Sequence, residues 1–238
     1  LLTSSRQLSN ETIDAVKYAK SKGVKIVLCT GRPLIGIKDL LKKLNLEDPG
    51  DYAITFNGAL IQDISKNEAI YHVFLDKNDI KNVYIFSLLN NLHMHFYDTN
   101  TLYTPNTNIS KWTISEAFNC NIPIQYTSID DIGENFFCSK AMIIDDSEKL
   151  DINENKIKSN FEDNYTVIRS SPHFYEILNK QTDKAQGLNK LANYLNLKQE
   201  EIIAIGDHEN DLSMIKYAGL GVAMGNALDS VKEIADEI

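Results

Sequence analysis

The sequence predicts an α/β fold: a core built on a parallel sheet, interrupted in its middle third by an inserted α+β unit. Three observations predict it. Up to about residue 75, helices alternate with short apolar strands. From about 76 to 180, paired strands mix with helices. From 181 to 238 the α/β rhythm returns. The expected divisions are therefore 1–75 and 181–238 for the core, and 76–180 for the insert.

Each element follows from local pattern. In "SNETIDAVKYAKSKG", Ser9 is a fit N-cap, Ile13, Val16 and Ala19 recur at helical spacing, and Gly23 stops the helix. "VKIVLC" is short and β-branched, as a buried strand is. "PLIGIKDLLKKLNL" reads as a helix with Pro33 in its first turn. "DYAITFNG" is the next strand, ended by an Asn-Gly turn. This β-α-β order implies parallel pairing.

In the insert, a helix is expected over 77–91, a hairpin from "HMHFYD" and "TLYTP", and a helix over 107–118. A less regular stretch follows. Then come a strand in "KAMIIDD", a helix over 148–161, and strands in "YTVIRSS" and "FYEILN". Beyond it, "GLNKLANYLNL" sets Leu188, Leu191, Ala192 and Leu195 on one helical face. "EIIAIG" is a strand, a helix begins near Glu209, and the short strand "LGVAM" precedes a last helix.

Bulk composition narrows the function. The 238 residues are 43% hydrophobic and 24% charged, ordinary for a globular chain able to bury its own core. The net charge is −9, from 33 acidic and 24 basic residues, which argues against a nucleic-acid binder. Anionic substrates remain compatible, because a bound metal inverts the local field. Cys29, Cys120 and Cys138 are far apart and form no CxxC pair, so a zinc or redox motif is not expected and a reducing cytoplasm is. No apolar run reaches membrane-spanning length.

Four strand ends carry residues suited to a phosphate and a metal, at the edge where open parallel sheets bind ligands. In "IVLCTGRP", Thr30 follows the strand, Gly31 permits close approach to the backbone, and Arg32 can grip an anion; a capping threonine and a solvated arginine are the plain alternative. In "ITFNGA", Asn57-Gly58 is either a simple turn or a strand-end ligand holder. Lys184 in "QTDKAQGL" sits at a helix start, where a cation is disfavoured unless it faces an anion; otherwise it is an exposed lysine. In "IIAIGDHENDLSM", Asp207 leaves the strand and Asn210 and Asp211 lie at the next turn. Two carboxylates across such a turn suit Mg²⁺, although acidic residues also favour any helix start, and Glu209 fits that role. Asp207 is harder to explain so, because charge at the end of a buried strand needs compensation.

Other sites are not supported. Gly219, Gly221 and Gly225 have the wrong spacing for a dinucleotide loop. No GxxxxGK[ST], GxSxG or HExxH motif occurs. His93 and His95 share one side of a strand, either as a metal pair or as half-exposed strand residues, and Trp112 reads as core or rim.

Together and in this order, "VLCTGRP", "FNGA", "GDHENDLSM" and "VAMGNA" resemble the haloacid dehalogenase (HAD) superfamily, closest to its Cof-type sugar-phosphatase-like branch, subclass IIB. The resemblance spans essentially the whole chain. It implies a Rossmann-like core with an inserted cap of C2B type, and a cytoplasmic Mg²⁺-dependent phosphatase of small phosphorylated metabolites, with sugar phosphates the expected class. Thr30 would bind the phosphoryl group. Lys184 would neutralise the nucleophile and phosphoryl. Asp207 and Asp211 would serve Mg²⁺, Asn210 would support their loop, and Gly31, Arg32, Asn57, Gly58 and Asn226 would line the substrate side. The family's DxDGT motif, with its aspartate nucleophile, is absent from the chain and is expected just ahead of Leu1, with the far end also clipped. A non-catalytic phosphometabolite-binding protein and a phosphomutase are the alternatives.

Overall fold

The computed structural model describes Leu2 and residues 7–238. Its chain separates into two units. The first holds Leu1–Gly31, Lys38–Tyr71 and Asp183–Ile238; the second holds Arg32–Ile37 and His72–Thr182.

In the first unit, α1 (Asn10–Ser21) starts as its sequence requires: the Ser9 hydroxyl accepts from the Thr12 amide. Strand β1 is only Leu28–Cys29 and runs parallel to β2 (Tyr52–Thr55). The expected helix after Pro33 divides into a 3₁₀ turn over Leu34–Ile37, which belongs to the second unit, and α2 (Lys38–Leu44). Two strands not expected from the sequence follow, β3 (Leu60–Asp63) and β4 (Glu68–His72). β3 pairs antiparallel with β2, so the four-stranded sheet β1-β2-β3-β4 is mixed rather than parallel throughout. The remaining core elements are α6 (Lys184–Tyr194), β11 (Ile203–Gly206), α7 (Leu212–Tyr217), β12 (Leu220–Ala223) and α8 (Asp229–Lys232). β11 and β12 pair in parallel as a separate two-stranded sheet. Tyr52, Ile54, Ile61 and Leu191 form one apolar cluster of this unit; Ala192, Ile202, Ala204, Met214 and Ile215 belong to another.

The second unit has a six-stranded sheet ordered β7-β6-β5-β8-β10-β9. Its strands are β5 (His93–Tyr97), β6 (Leu102–Thr104), β7 (Ile124–Tyr126), β8 (Lys140–Ile144), β9 (Tyr165–Ser171) and β10 (Phe174–Asn179). Its helices are α3 (Lys77–Leu89), α4 (Lys111–Cys120) and α5 (Ser147–Phe161). Ile80, Val83 and Phe86 of α3 and Leu150, Ile157 and Phe161 of α5 share one core with Met94, Phe96, Ile143 and Ile177 of the sheet. β7 lies in the stretch expected to be irregular, because three residues with one aliphatic give no period to read.

His95 is a correction. It is not half-exposed but fully buried, with Nδ1 3.2 Å from the Thr113 hydroxyl and Nε2 3.1 Å from the Met142 sulfur. Burial, helped by the nearby Lys140 charge, pushes its pKa down to about 3. The imidazole is therefore neutral and already partnered. Trp112 stacks on His173, with ring centroids 3.4 Å apart.

Candidate active site

Thr30 follows β1 directly. Its amide donates to the Ile54 carbonyl at 2.9 Å, which continues the β1–β2 pairing one residue further. Its own carbonyl accepts from the Asn57 amide at 2.9 Å. The Thr30 backbone thus belongs to the sheet, and the group it offers a phosphoryl oxygen is its hydroxyl.

At the end of β2 the chain enters a sharp turn. Phe56, Asn57 and Gly58 take φ of 49°, 57° and 101°, three successive residues in the left-handed region. Asn57 is only 3% exposed. Its Oδ1 accepts from Asn210 Nδ2 at 3.0 Å, inside the unit. A Cβ on Gly58 would collide with the Asp183 carbonyl, and one on Gly187 would lie 2.9 Å from the Gly58 Cα. The turn and the start of α6 therefore meet backbone to backbone, which glycine alone allows.

That contact places Lys184. It is the first residue of α6, behind an Asp183 cap that accepts from the Ala185 and Gln186 amides. Lys184 is 6% exposed and lies 2.6 Å from Asp211 Oδ1. Its odd position at a helix start is thereby resolved: a carboxylate offsets the unfavourable end of the helix dipole.

Asp211 organises the loop after β11. Its Oδ2 accepts from the amides of Asp207 at 2.9 Å and His208 at 3.1 Å. Burial would raise its pKa, but Lys184 and the two amide donors hold it below the usual carboxylate value. A Cβ on Gly206 would approach the Asp211 Cβ to 2.5 Å, so the loop closes tightly on this side chain. The Asp207 side chain, by contrast, is exposed. Its carbonyl accepts from the Leu228 amide at 3.1 Å, and Met224 donates to the Gly206 carbonyl at 2.9 Å. These bonds draw the loop carrying Asn226, itself exposed, beside Asp207. Glu209 is exposed too, as an acidic helix start would be.

The first unit therefore brings together Thr30, Gly31, Asn57, Gly58, Lys184, Asp207, Asn210, Asp211 and the Asn226 loop. Arg32 falls in the second unit.

Among the described residues no three His, Cys, Asp or Glu side chains converge on one point. Zinc, which wants several nitrogen or sulfur ligands, is not suited to this donor set. Mg²⁺ is, because it takes one or two carboxylates and completes its shell with water and substrate oxygens. Asp207 has the exposed carboxylate for it. Asp211 is buried, and its oxygens accept from Lys184 and from the Asp207 and His208 amides, so in this structure it holds the lysine and the loop. Cys29 lies beside this cluster, and desolvation pushes its thiol up to about 12.

The family model of haloacid dehalogenase-like hydrolases matches residues 1–238. The chain belongs to that family. This hydrolase is 41% identical, over 236 residues, to the Bacillus subtilis protein named "Putative phosphatase YxeH", covering 99% of the chain and 87% of that protein. A solved haloacid dehalogenase-like hydrolase from Bacteroides thetaiotaomicron superposes with a TM-score of 0.90 at 33% identity, over 100% of this chain and 89% of that one. A solved HAD subclass IIB sugar phosphatase superposes at 0.80 and 26% identity, over 100% and 88%. The hydrolase is thus an enzyme of the family's phosphatase type, with its α/β fold.

Two relations in the hydrolase were not foreseen: the Lys184–Asp211 pair and the Asn57–Asn210 bond. Each partner stands in one of the four strand-end motifs, but nothing local signals a pairing across 27 or 153 residues.

Proposed function

We propose that this hydrolase is a cytoplasmic, Mg²⁺-dependent phosphatase of small phosphorylated metabolites, sugar phosphates foremost, working through an aspartyl-phosphate. The observation that carries it is the buried Lys184, fixed 2.6 Å from Asp211 at the mouth of α6, beside the exposed Asp207 and the Thr30 strand end. A cation held in place before the reaction stabilises charge that develops on a transferring phosphoryl group. Sugar phosphates are favoured by the likeness to a solved sugar phosphatase of subclass IIB. In this function the second unit is the α+β cap of C2B type.

The chain's own residues divide the work. The Thr30 hydroxyl and the strand-end backbone at Gly31 and Gly58 receive phosphoryl oxygens. Lys184 offsets their charge as the bond from the aspartate oxygen to phosphorus forms and the ester bond breaks, the leaving alkoxide taking its proton from the acid/base aspartate of the DxDGT motif that the family resemblance implies. Asp211 holds the lysine and the loop. Asn210 and Asn226 line the pocket edge. Asp207 would hold Mg²⁺, which when bound supplies further positive charge to the phosphoryl oxygens. The attacking carboxylate would be the nucleophilic aspartate of the DxDGT motif that the family resemblance implies. Water then cleaves the aspartyl-phosphate and releases inorganic phosphate.

The full-length protein, supplied with Mg²⁺ and a panel of phosphorylated metabolites, tests this. EDTA-sensitive release of inorganic phosphate from a sugar phosphate is expected. Transfer to a second sugar hydroxyl without release would mean a phosphomutase. Binding without turnover, with a residue other than Asp at the nucleophile position ahead of Leu1, would mean a metabolite-binding protein.

A further inference from the structure

We propose that Asn57 is a positioning residue that ties the phosphate-binding strand end to the loop of Asp207, acting through Asn210; its catalytic consequence rests on the phosphatase function above. Asn57 makes three contacts that hold these segments together. The Asn57 amide donates to the Thr30 carbonyl at 2.9 Å, so the turn is anchored to the residue that meets phosphate. The Asn57 side chain packs under Gly31, where an added Cβ would sit 3.0 Å from its amide atoms. Its Oδ1 then accepts from Asn210 Nδ2 at 3.0 Å, one residue from Asp211.

The backbone explains why this residue type is needed. A left-handed conformation is held at Phe56, Asn57 and Gly58 in succession, and a bulky residue such as Phe56 adopts it only where its surroundings impose it. Strain of that kind is retained where it sets a functional geometry. Position 57 needs both tolerance of positive φ and a side-chain acceptor. Glycine supplies the first alone, aspartate supplies both with an added negative charge beside an anion site, and asparagine supplies both without charge. One hydrogen bond to an amide NH₂ fixes its plane, and so the direction of its second N–H and of its carbonyl. Asn57 thereby aims Asn210.

The proposal is tested with Asn57→Gly, which keeps the left-handed turn and removes the acceptor, and Asn57→Asp, which keeps both. In the full-length protein, the side-chain NH₂ resonances of Asn210 in ¹⁵N spectra are expected to move to free-amide positions in Asn57→Gly and to stay bonded in Asn57→Asp. With melting temperature nearly unchanged, kcat should fall roughly 10–100-fold in Asn57→Gly with little change in KM, as expected for a misaimed group. Asn57→Gly combined with Asn210→Ala should be no slower than Asn210→Ala alone. Unmoved Asn210 resonances in Asn57→Gly, loss of the bonded signals in Asn57→Asp, an unchanged kcat, or multiplying effects in the double variant would each overturn it. A wild type that hydrolyses no phosphate ester would sink the proposed function instead, and the resonance comparison would still decide the link.

Discussion

Lys184 and Asp211 behave as one group. The pair lies 2.6 Å apart and is nearly out of water, so removing one partner leaves the other buried and charged. Lys184→Ala should lower the rate of phosphate release by roughly 100-fold or more, through loss of charge stabilisation. A near-normal rate would reduce it to a loop anchor. It should also change acid stability. The pKa of Asp211 is depressed in the folded state, so its contribution is full above the ordinary value of 3.8 and is lost as pH falls through the lowered one. Without Lys184 the largest lowering influence is gone and the Asp211 pKa rises from its depressed value, so acid unfolding should begin at higher pH; melting curves against pH measure this. Asp207 is the contrasting case. Its structural bonds are made by its backbone, and its carboxylate is exposed. Asp207→Asn should therefore keep the melting temperature and lose Mg²⁺-dependent turnover by roughly 100-fold; unchanged turnover would remove Asp207 from the metal site.

At the level of elements, the turn at 56–58 and helix α6 act as a single bearing. Gly187 faces the Gly58 Cα and the Ile54 side chain, where an added Cβ would meet atoms at 2.9 and 3.0 Å. Gly→Ala inside an exposed helix normally stabilises by about 1 kcal/mol. Here the sign should reverse, with Gly187→Ala destabilising by roughly 1–3 kcal/mol as overpacking does. Because α6 carries Lys184 at its first position, the rate should fall with it. Thermal melting and initial rates together check the coupling, and a stabilised, fully active variant would contradict it. Sequence periodicity located α6 well, because Leu191 and Ala192 bury the face the spacing predicts. It did not locate β3 and β4. They follow a turn that reads as a strand end, and only the sheet edge presented by β2 makes Gln62 and Asp63 strand residues, with β4 next to β3.

For the molecule as a whole, acid is the informative variable. His95 lies deep in the second unit, with a pKa held at about 3 by burial and the nearby Lys140 charge. The unfolded chain takes up that proton near the ordinary value of 6.5, so stability is full above 6.5 and declines as pH falls towards 3, by up to about 1.4 kcal/mol per pH unit. In NMR titrations the His95 ring signals should stay neutral from pH 8 down to about 4. A midpoint near 6.5 would show that the ring is hydrated. The same unit buries Lys140 against Glu176 at 3.2 Å, beneath one face of its sheet. Burial alone would lower the Lys140 pKa, but Glu176 and Glu116 keep it above its ordinary value. Lys140→Ala should accordingly destabilise the protein by roughly 3–5 kcal/mol, because Glu176 would stay buried without that charge; denaturant unfolding measures it.

The sequence by itself determined the order and kind of most elements, the interrupted α/β plan and the four strand ends where the chemistry gathers. Periodicity, caps and turn residues depend on near neighbours, and near neighbours are written in the chain. Only the tertiary structure decided that Lys184 faces Asp211, that Asn57 turns inward to Asn210, that His95 is buried, and that residues 32–37 pack with the second unit. Those outcomes rest on contacts between distant segments and on the exclusion of water around them. The Asp-His-Glu-Asn-Asp run of residues 207–211 reads the same whether its last carboxylate clamps a lysine or not, and only the fold brings Lys184 to it.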